Sequence, residues 1–206
     1  MARLTDNEVR VGIFGGTFDP LHVAHLILAD EARYQLSLDK VLWMLTPNPP
    51  HKNSWALTPV AQRLSMLESA IADNPYFNVS RIDVSRPAPQ FAVDTMSLLR
   101  EEFPVSKIFY LMGGDSLHDL PTWERPREFI DKCDGLGVMR RPDDDVDIDV
   151  LTHILPEITG KVKYVEAPLL KISAREIRKR VRLGLPFRYF VPRPVFEFIQ
   201  KKNLYR

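Results

Sequence analysis

The chain has 206 residues, 45% of them apolar and 27% charged, which suits one soluble domain of ordinary size. Its 28 Lys and Arg against 27 Asp and Glu leave a net charge of +1, too little for a broad nucleic-acid-binding field. The lone Cys133 excludes an intramolecular disulfide and a cysteine-built zinc site; it fits a reducing cytoplasm and reads as a small hydrophobe near Phe129 and Ile130. The start, MARLTDNEVR, is polar and charged, and no stretch approaches the ~20 apolar residues of a membrane helix. A cytoplasmic protein without membrane or nucleic-acid partners is the expectation.

In chain order, Val9–Phe14 reads as a strand and Leu21–Leu36 as a helix. Val41–Leu45 is a second strand, ended by the Pro-rich loop Pro47–Pro50. Leu57–Ala72 is an amphipathic helix with Ala61, Leu64, Leu67 and Ile71 on one face. A third strand follows at Phe77–Val84, then a helix over Phe91–Glu102, and strands at Ile108–Met112, Gly135–Met139 and Val162–Val165. Helices Ala174–Leu183 and Val195–Lys202 close the chain. Strands alternating with helices predict an α/β fold: a Rossmann-like, mostly parallel sheet with helices on both faces. The reading is a single domain over 1–206 whose last part, from about 170, is helical. Ligands in such sheets bind at the carboxyl ends of strands. The loops Gly15–Pro20, Pro47–Lys52 and Gly113–Asp115 all lie on that edge. The Asp-rich Arg140–Asp149 lacks the turn Gly and final Glu of a calcium loop and reads as a solvated surface loop.

GIFGGTFDPLHVAH carries the most chemistry. Gly15 and Gly16 let backbone N–H groups approach a ligand closely. Asp19 reads as a helix cap and Pro20 as a first-turn residue, so the helix dipole would face an anion. His22 and His25, three apart, share one face of that turn and point together at the anion's place. No Gly-Lys-Ser/Thr follows, so this is not a Walker loop. Lys52, after three prolines, reads either as a point charge for phosphate or as a solvated lysine. Ser173–Glu176 has capping-box spacing, and Arg178 just beyond adds a cation to a helix start, the elements of a phosphate clamp. Asp115 is either a turn aspartate or a substrate contact. Trp123 is either a core plug or a stacking platform.

GGTFDPLHVAH resembles the signature of the HxGH nucleotidyltransferase superfamily and, more closely, that of bacterial nicotinate-nucleotide adenylyltransferases. Further motifs resemble the family in order: Pro47-Asn48-Pro49-Pro50-His51-Lys52, Asp94-Thr95, Gly113-Gly114-Asp115 with Leu120 and Trp123, Ile172-Ser173-Ala174-Arg175-Glu176-Ile177-Arg178, and the tail to Leu204-Tyr205. Ala24 departs from the Gly of HxGH, and Ala174 and Arg175 replace Ser and Thr. The resemblance implies adenylyl transfer from ATP to nicotinate mononucleotide, giving deamido-NAD and pyrophosphate. It implies that His22, His25, Lys52 and Arg178 are catalytic. Gly15, Gly16, Thr17, Phe18, Asp115, Ile172 and Ser173 would hold ATP, and Asp94, Thr95 and Trp123 the mononucleotide. Mg2+ would arrive with ATP, bound by its oxygens and water rather than by protein ligands. A homo-oligomer stays open, as do another transferase of the superfamily and a non-catalytic nucleotide-binding module.

Overall fold

The computed structural model describes residues 9–49, 57–139, 146–168 and 170–206. Six strands form one parallel sheet: β1 (Arg10–Gly16), β2 (Lys40–Leu45), β3 (Phe77–Ser80), β4 (Lys107–Gly113), β5 (Gly135–Met139) and β6 (Val162–Val165). Their spatial order is β3-β2-β1-β4-β5-β6. The chain therefore works outward from β1 to one edge, then returns to β4 and works outward to the other. The β1–β4 seam is the switch point at which α/β sheets bind ligands. Phe14 lies level with Leu111 on one side of it, and Gly15 with Met44 on the other.

Among the described residues, eight helices cover the sheet: α1 (Val23–Gln35), α2 (Val60–Ile71), α3 (Ala92–Glu102), α4 (Gly114–Asp119), α5 (Pro126–Lys132), α6 (Ile148–Ile154), α7 (Ala174–Arg182) and α8 (Arg193–Lys202). Side chains alternate across the pleat. Phe14, Trp43 and Leu111 face a core built with α1, α2, α7 and α8. Ile13, Met44 and Met112 face a second core with α3, α4, α5 and α6. Each face thus removes a continuous apolar layer from water, worth roughly 25 cal/mol per Å².

Several expectations are corrected. α1 starts at Val23 with His22 as its N-cap, so Asp19 does not cap it and Pro20 lies outside its first turn. β1 runs on through Gly15 and Gly16, and β3 stops at Ser80. The buried stripe of α2 is Arg63, Met66, Leu67, Ala70 and Ile71, while Ala61 is exposed. Asp147 is not a plain loop residue: its carboxylate accepts the Asp149 and Val150 N–H groups and caps α6. Asp143, Asp144 and Asp145 lie outside the described residues. Cys133 is buried as expected; burial pushes its thiol up to about 12, which leaves it a packing group.

Candidate active site

The link from β1 to α1 is tight. Phe18 takes a left-handed φ of 47° and is buried. A Cβ on Gly16 would lie 2.7 Å from the Phe18 ring, and one on Gly15 would lie 3.1 Å from the Tyr110 hydroxyl. Both glycines are therefore required by their neighbours' packing, whatever a ligand adds. Phe18 meets Phe14, Trp43 and His25, with its ring 5.2 Å from the imidazole of His25 in an edge contact. This aromatic floor sets the height of the histidines above the sheet.

His22 and His25 do converge. Their rings stack at 3.6 Å between centroids with 21° between planes. The His22 N–H donates to His25 Nδ1 at 3.2 Å. His22 is only 6% exposed, and its Nδ1 is buried without a hydrogen-bond partner among the described residues. Burial pulls its pKa down to about 4, so the ring is neutral near pH 7. The two histidines form the reciprocal arrangement of a capping box, the His22 ring facing the His25 backbone N–H and the His25 ring taking the His22 backbone N–H.

The Arg178 guanidinium comes to the same loop from α7 and donates through Nη1 to the Asp19 carbonyl at 2.6 Å. Burial lowers its pKa from the usual guanidinium range, with the Asp19 carboxylate opposing. Ser173 caps α7 by accepting the Glu176 N–H at 3.2 Å, and the Glu176 carboxylate accepts from Arg180. Ile172 packs half-buried on the adjoining core. Ala24 is buried within α1, and Arg175 is exposed. At the end of β4, Asp115 lies in the first turn of α4 beside Gly113, where a Cβ would meet its carboxylate at 2.5 Å. Lys52 and His51 lie outside the described residues.

Asp94, Thr95 and Trp123 gather on the other side of β4. Thr95 is buried, donates to Asp83 at 2.7 Å and accepts from Arg86 at 2.8 Å, inside an Asp83–Arg86 ion pair. Its hydroxyl is thus engaged in bracing α3. Asp94 is ion-paired with Arg125, which sits at a left-handed φ of 47° before α5. Trp123 follows a 3-10 turn at Leu120–Thr122 and is half-buried, 5.2 Å from Phe129 and 6.0 Å from Tyr110 between ring centroids. The indole packs against the core beside Phe129 and Tyr110, as the plug reading expects. Tyr110 lies between these groups, its ring 6.0 Å from that of Trp123 and its hydroxyl 3.1 Å from where a Cβ on Gly15 would lie. Burial raises its phenol pKa, with Asp83 adding to the effect, so it stays a neutral donor.

The residue missed by sequence reasoning is Arg63. It is 1% exposed and donates to four carbonyls: Thr58 at 2.8 Å, Thr17 at 2.9 Å, Thr46 at 2.9 Å and Pro47 at 2.8 Å. It ties the loops after β1 and β2 to the start of α2. Its signal was position: it heads the 63, 66, 67, 70, 71 stripe, where a solvated arginine has no place.

The chain is similar to known proteins in family and fold. Residues 13–180 match the model of a family described as cytidylyltransferase-like. A probable nicotinate-nucleotide adenylyltransferase of Thermomicrobium roseum is 45% identical over 96% of this chain and 92% of its own length. One from Desulfitobacterium hafniense is 35% identical over 96% of both chains. Among solved structures, nicotinic acid mononucleotide adenylyltransferase of Plasmodium falciparum, complexed with NaAD, superposes with a TM-score of 0.77. It covers 96% of this chain and 98% of that one, and at 19% identity this likeness bears on the fold.

Proposed function

This chain belongs to the cytidylyltransferase-like family, in its nicotinate-nucleotide adenylyltransferase branch, and from that premise we propose how its residues carry out the transfer. The chain is a nucleotidyltransferase of NAD biosynthesis that joins ATP and nicotinate mononucleotide into deamido-NAD with release of pyrophosphate. A phosphate oxygen of the mononucleotide attacks the α-phosphorus of ATP, and the bond to the bridging oxygen of the leaving pyrophosphate breaks. Such a transfer needs positioning and charge stabilisation rather than a protein nucleophile.

The observation that carries the reading is the stacked His22–His25 pair at the head of α1, His22 buried and His25 half-buried, with Arg178 bonded to the loop that leads into it. His22 serves as a neutral ring that engages phosphate oxygen, not as a standing cation, because burial holds its pKa near 4. Arg178 offers a planar fork to the polyphosphate. Lys52 adds a point charge, and the Gly15–Phe18 backbone, Asp115, Ile172 and Ser173 shape the nucleotide side. Trp123 stacks on the pyridine ring, with Asp94 and Thr95 setting the wall behind it.

Imidazole and guanidinium suit phosphate rather than a hard cation. Mg2+ would come as a companion of ATP, lowering phosphate charge when bound. The deciding assay is Mg-ATP with a panel of mononucleotides, scored by pyrophosphate release. Nicotinate mononucleotide should be the best acceptor. His22→Ala should lower turnover by roughly 10²-fold, the scale for removing a preorganised donor. Turnover within about threefold of the parent would remove His22 from the chemistry.

A further inference from the structure

The second-to-last residue of the chain reaches back to the phosphate loop. Tyr205 lies past the end of α8 at a φ of 66°, and its hydroxyl donates to Asp19 Oδ1 at 2.8 Å across 186 positions of sequence. Asp19 is 3% exposed and three residues before His22. Its second carboxylate oxygen accepts the Thr58 N–H at 3.4 Å, and its carbonyl accepts from Arg178. Burial, with the Asp19 carboxylate beside it, raises the Tyr205 pKa, so the phenol keeps its proton and donates. Three distant segments, the loop before α2, the α7 helix and the chain end, thus converge on one aspartate.

We propose that Tyr205 is a positioning residue of the nucleotide site: through Asp19 it holds the β1–α1 loop and the Arg178 fork where ATP phosphates need them. The argument is geometric. Arg178 is anchored on the Asp19 carbonyl, so a shift of Asp19 moves both the loop that leads into His22 and the guanidinium that meets phosphate. Tyr205 supplies a charge-assisted hydrogen bond to the Asp19 carboxylate, the stronger kind of hydrogen bond. It does so from the segment after α8, where Leu204 and Tyr205 also pack against the core built with α1, α2, α7 and α8. The inference rests on the reading that this loop holds ATP.

The test is a double-mutant cycle of Tyr205→Phe and Asp19→Asn, with ATP and nicotinate mononucleotide varied in turn. Tyr205→Phe should raise the KM for ATP and lower kcat/KM for ATP by about tenfold, the rate equivalent of one such bond. The KM for the mononucleotide should stay within about twofold. A merely structural role would instead lower the active fraction, reducing kcat with both KM values unchanged. In the Asp19→Asn background the same substitution should cost less than about twofold, because the charged acceptor is already gone. An unchanged KM for ATP, or a full penalty in the Asp19→Asn background, overturns the proposal. If the parent turns over no mononucleotide, the adenylyl-transfer reading fails on its own. Calorimetric titration of ATP into parent and Tyr205→Phe then decides this one, a Kd ratio above about threefold supporting it and a smaller ratio overturning it.

Discussion

At the scale of a residue, His22 combines burial, stacking and an unpartnered nitrogen. Desolvation penalises a positive charge on its ring. The folded pKa near 4 lies below the unfolded value of 6.5, so the unfolded chain binds the extra proton between them. The contribution of neutral His22 is fully present above about pH 6.5 and is lost as pH falls toward 4. Between pH 7 and pH 5 that loss is about 2 kcal/mol. Urea unfolding of the parent should show it, whereas His22→Gln, which does not titrate, should lose about that much less. Equal pH slopes for the two proteins would mean that His22 is protonated in the fold.

At the scale of an element, α2 shows how a helix can serve a site that it does not enter. Its N-terminal turn delivers Arg63 to carbonyls of two strand-end loops, Thr17 after β1 and Thr46 and Pro47 after β2. Arg63→Met has comparable bulk but leaves four carbonyls without their donor, and unmade buried hydrogen bonds cost about 1–3 kcal/mol each. Relief of the buried charge offsets part of this, so a net loss of about 3–5 kcal/mol is expected in urea unfolding. A loss under about 1 kcal/mol would mean that the loops hold themselves. The sequence made α2 legible as a helix because its apolar spacing spans three turns. Leu64, Leu67 and Ile71 do pack on the core face, Leu64 half-buried, whereas Ala61 is exposed and Arg63 takes a buried place in the stripe. α4, α5 and α6 went unread for a different reason: six or seven residues make fewer than two turns, too short for a period to show. The α1 start was misplaced because Asp-Pro is a good start signal locally, whereas here Asp19 is taken by Tyr205 and Thr58, partners that local spacing does not show.

At the scale of the molecule, the parallel sheet and its functional edge were readable because strand runs and Gly-rich loops are local signals, and the switch-point rule supplies the rest. What joins the two halves of the site was not readable, since Tyr110, Arg125 and Arg63 owe their roles to tertiary pairing. Arg125 enters the proposed account of substrate choice through its ion pair with Asp94. Nicotinate carries a carboxylate and nicotinamide does not. Asp94, in the first turn of α3, would repel the acid, but its charge is held by Arg125 from the start of α5. The α3 N-cap is Phe91, which offers no side-chain acceptor to the first N–H groups of that helix. Those donors and the positive end of the dipole favour an anion. An amide in the same place would set N–H against N–H, and each unmade buried bond costs about 1–3 kcal/mol. Two such mismatches give nicotinate mononucleotide an advantage of at least about 10²-fold in kcat/KM. Trp123→Ala should weaken both substrates by a similar factor, because a ring face does not distinguish acid from amide. Arg125→Met frees the Asp94 charge and should narrow the preference by about tenfold, acting on the acid alone. Initial rates for both mononucleotides at saturating Mg-ATP decide it: equal use by the parent, or an unchanged ratio in Arg125→Met, would show that selectivity is set elsewhere than at the α3–α5 wall.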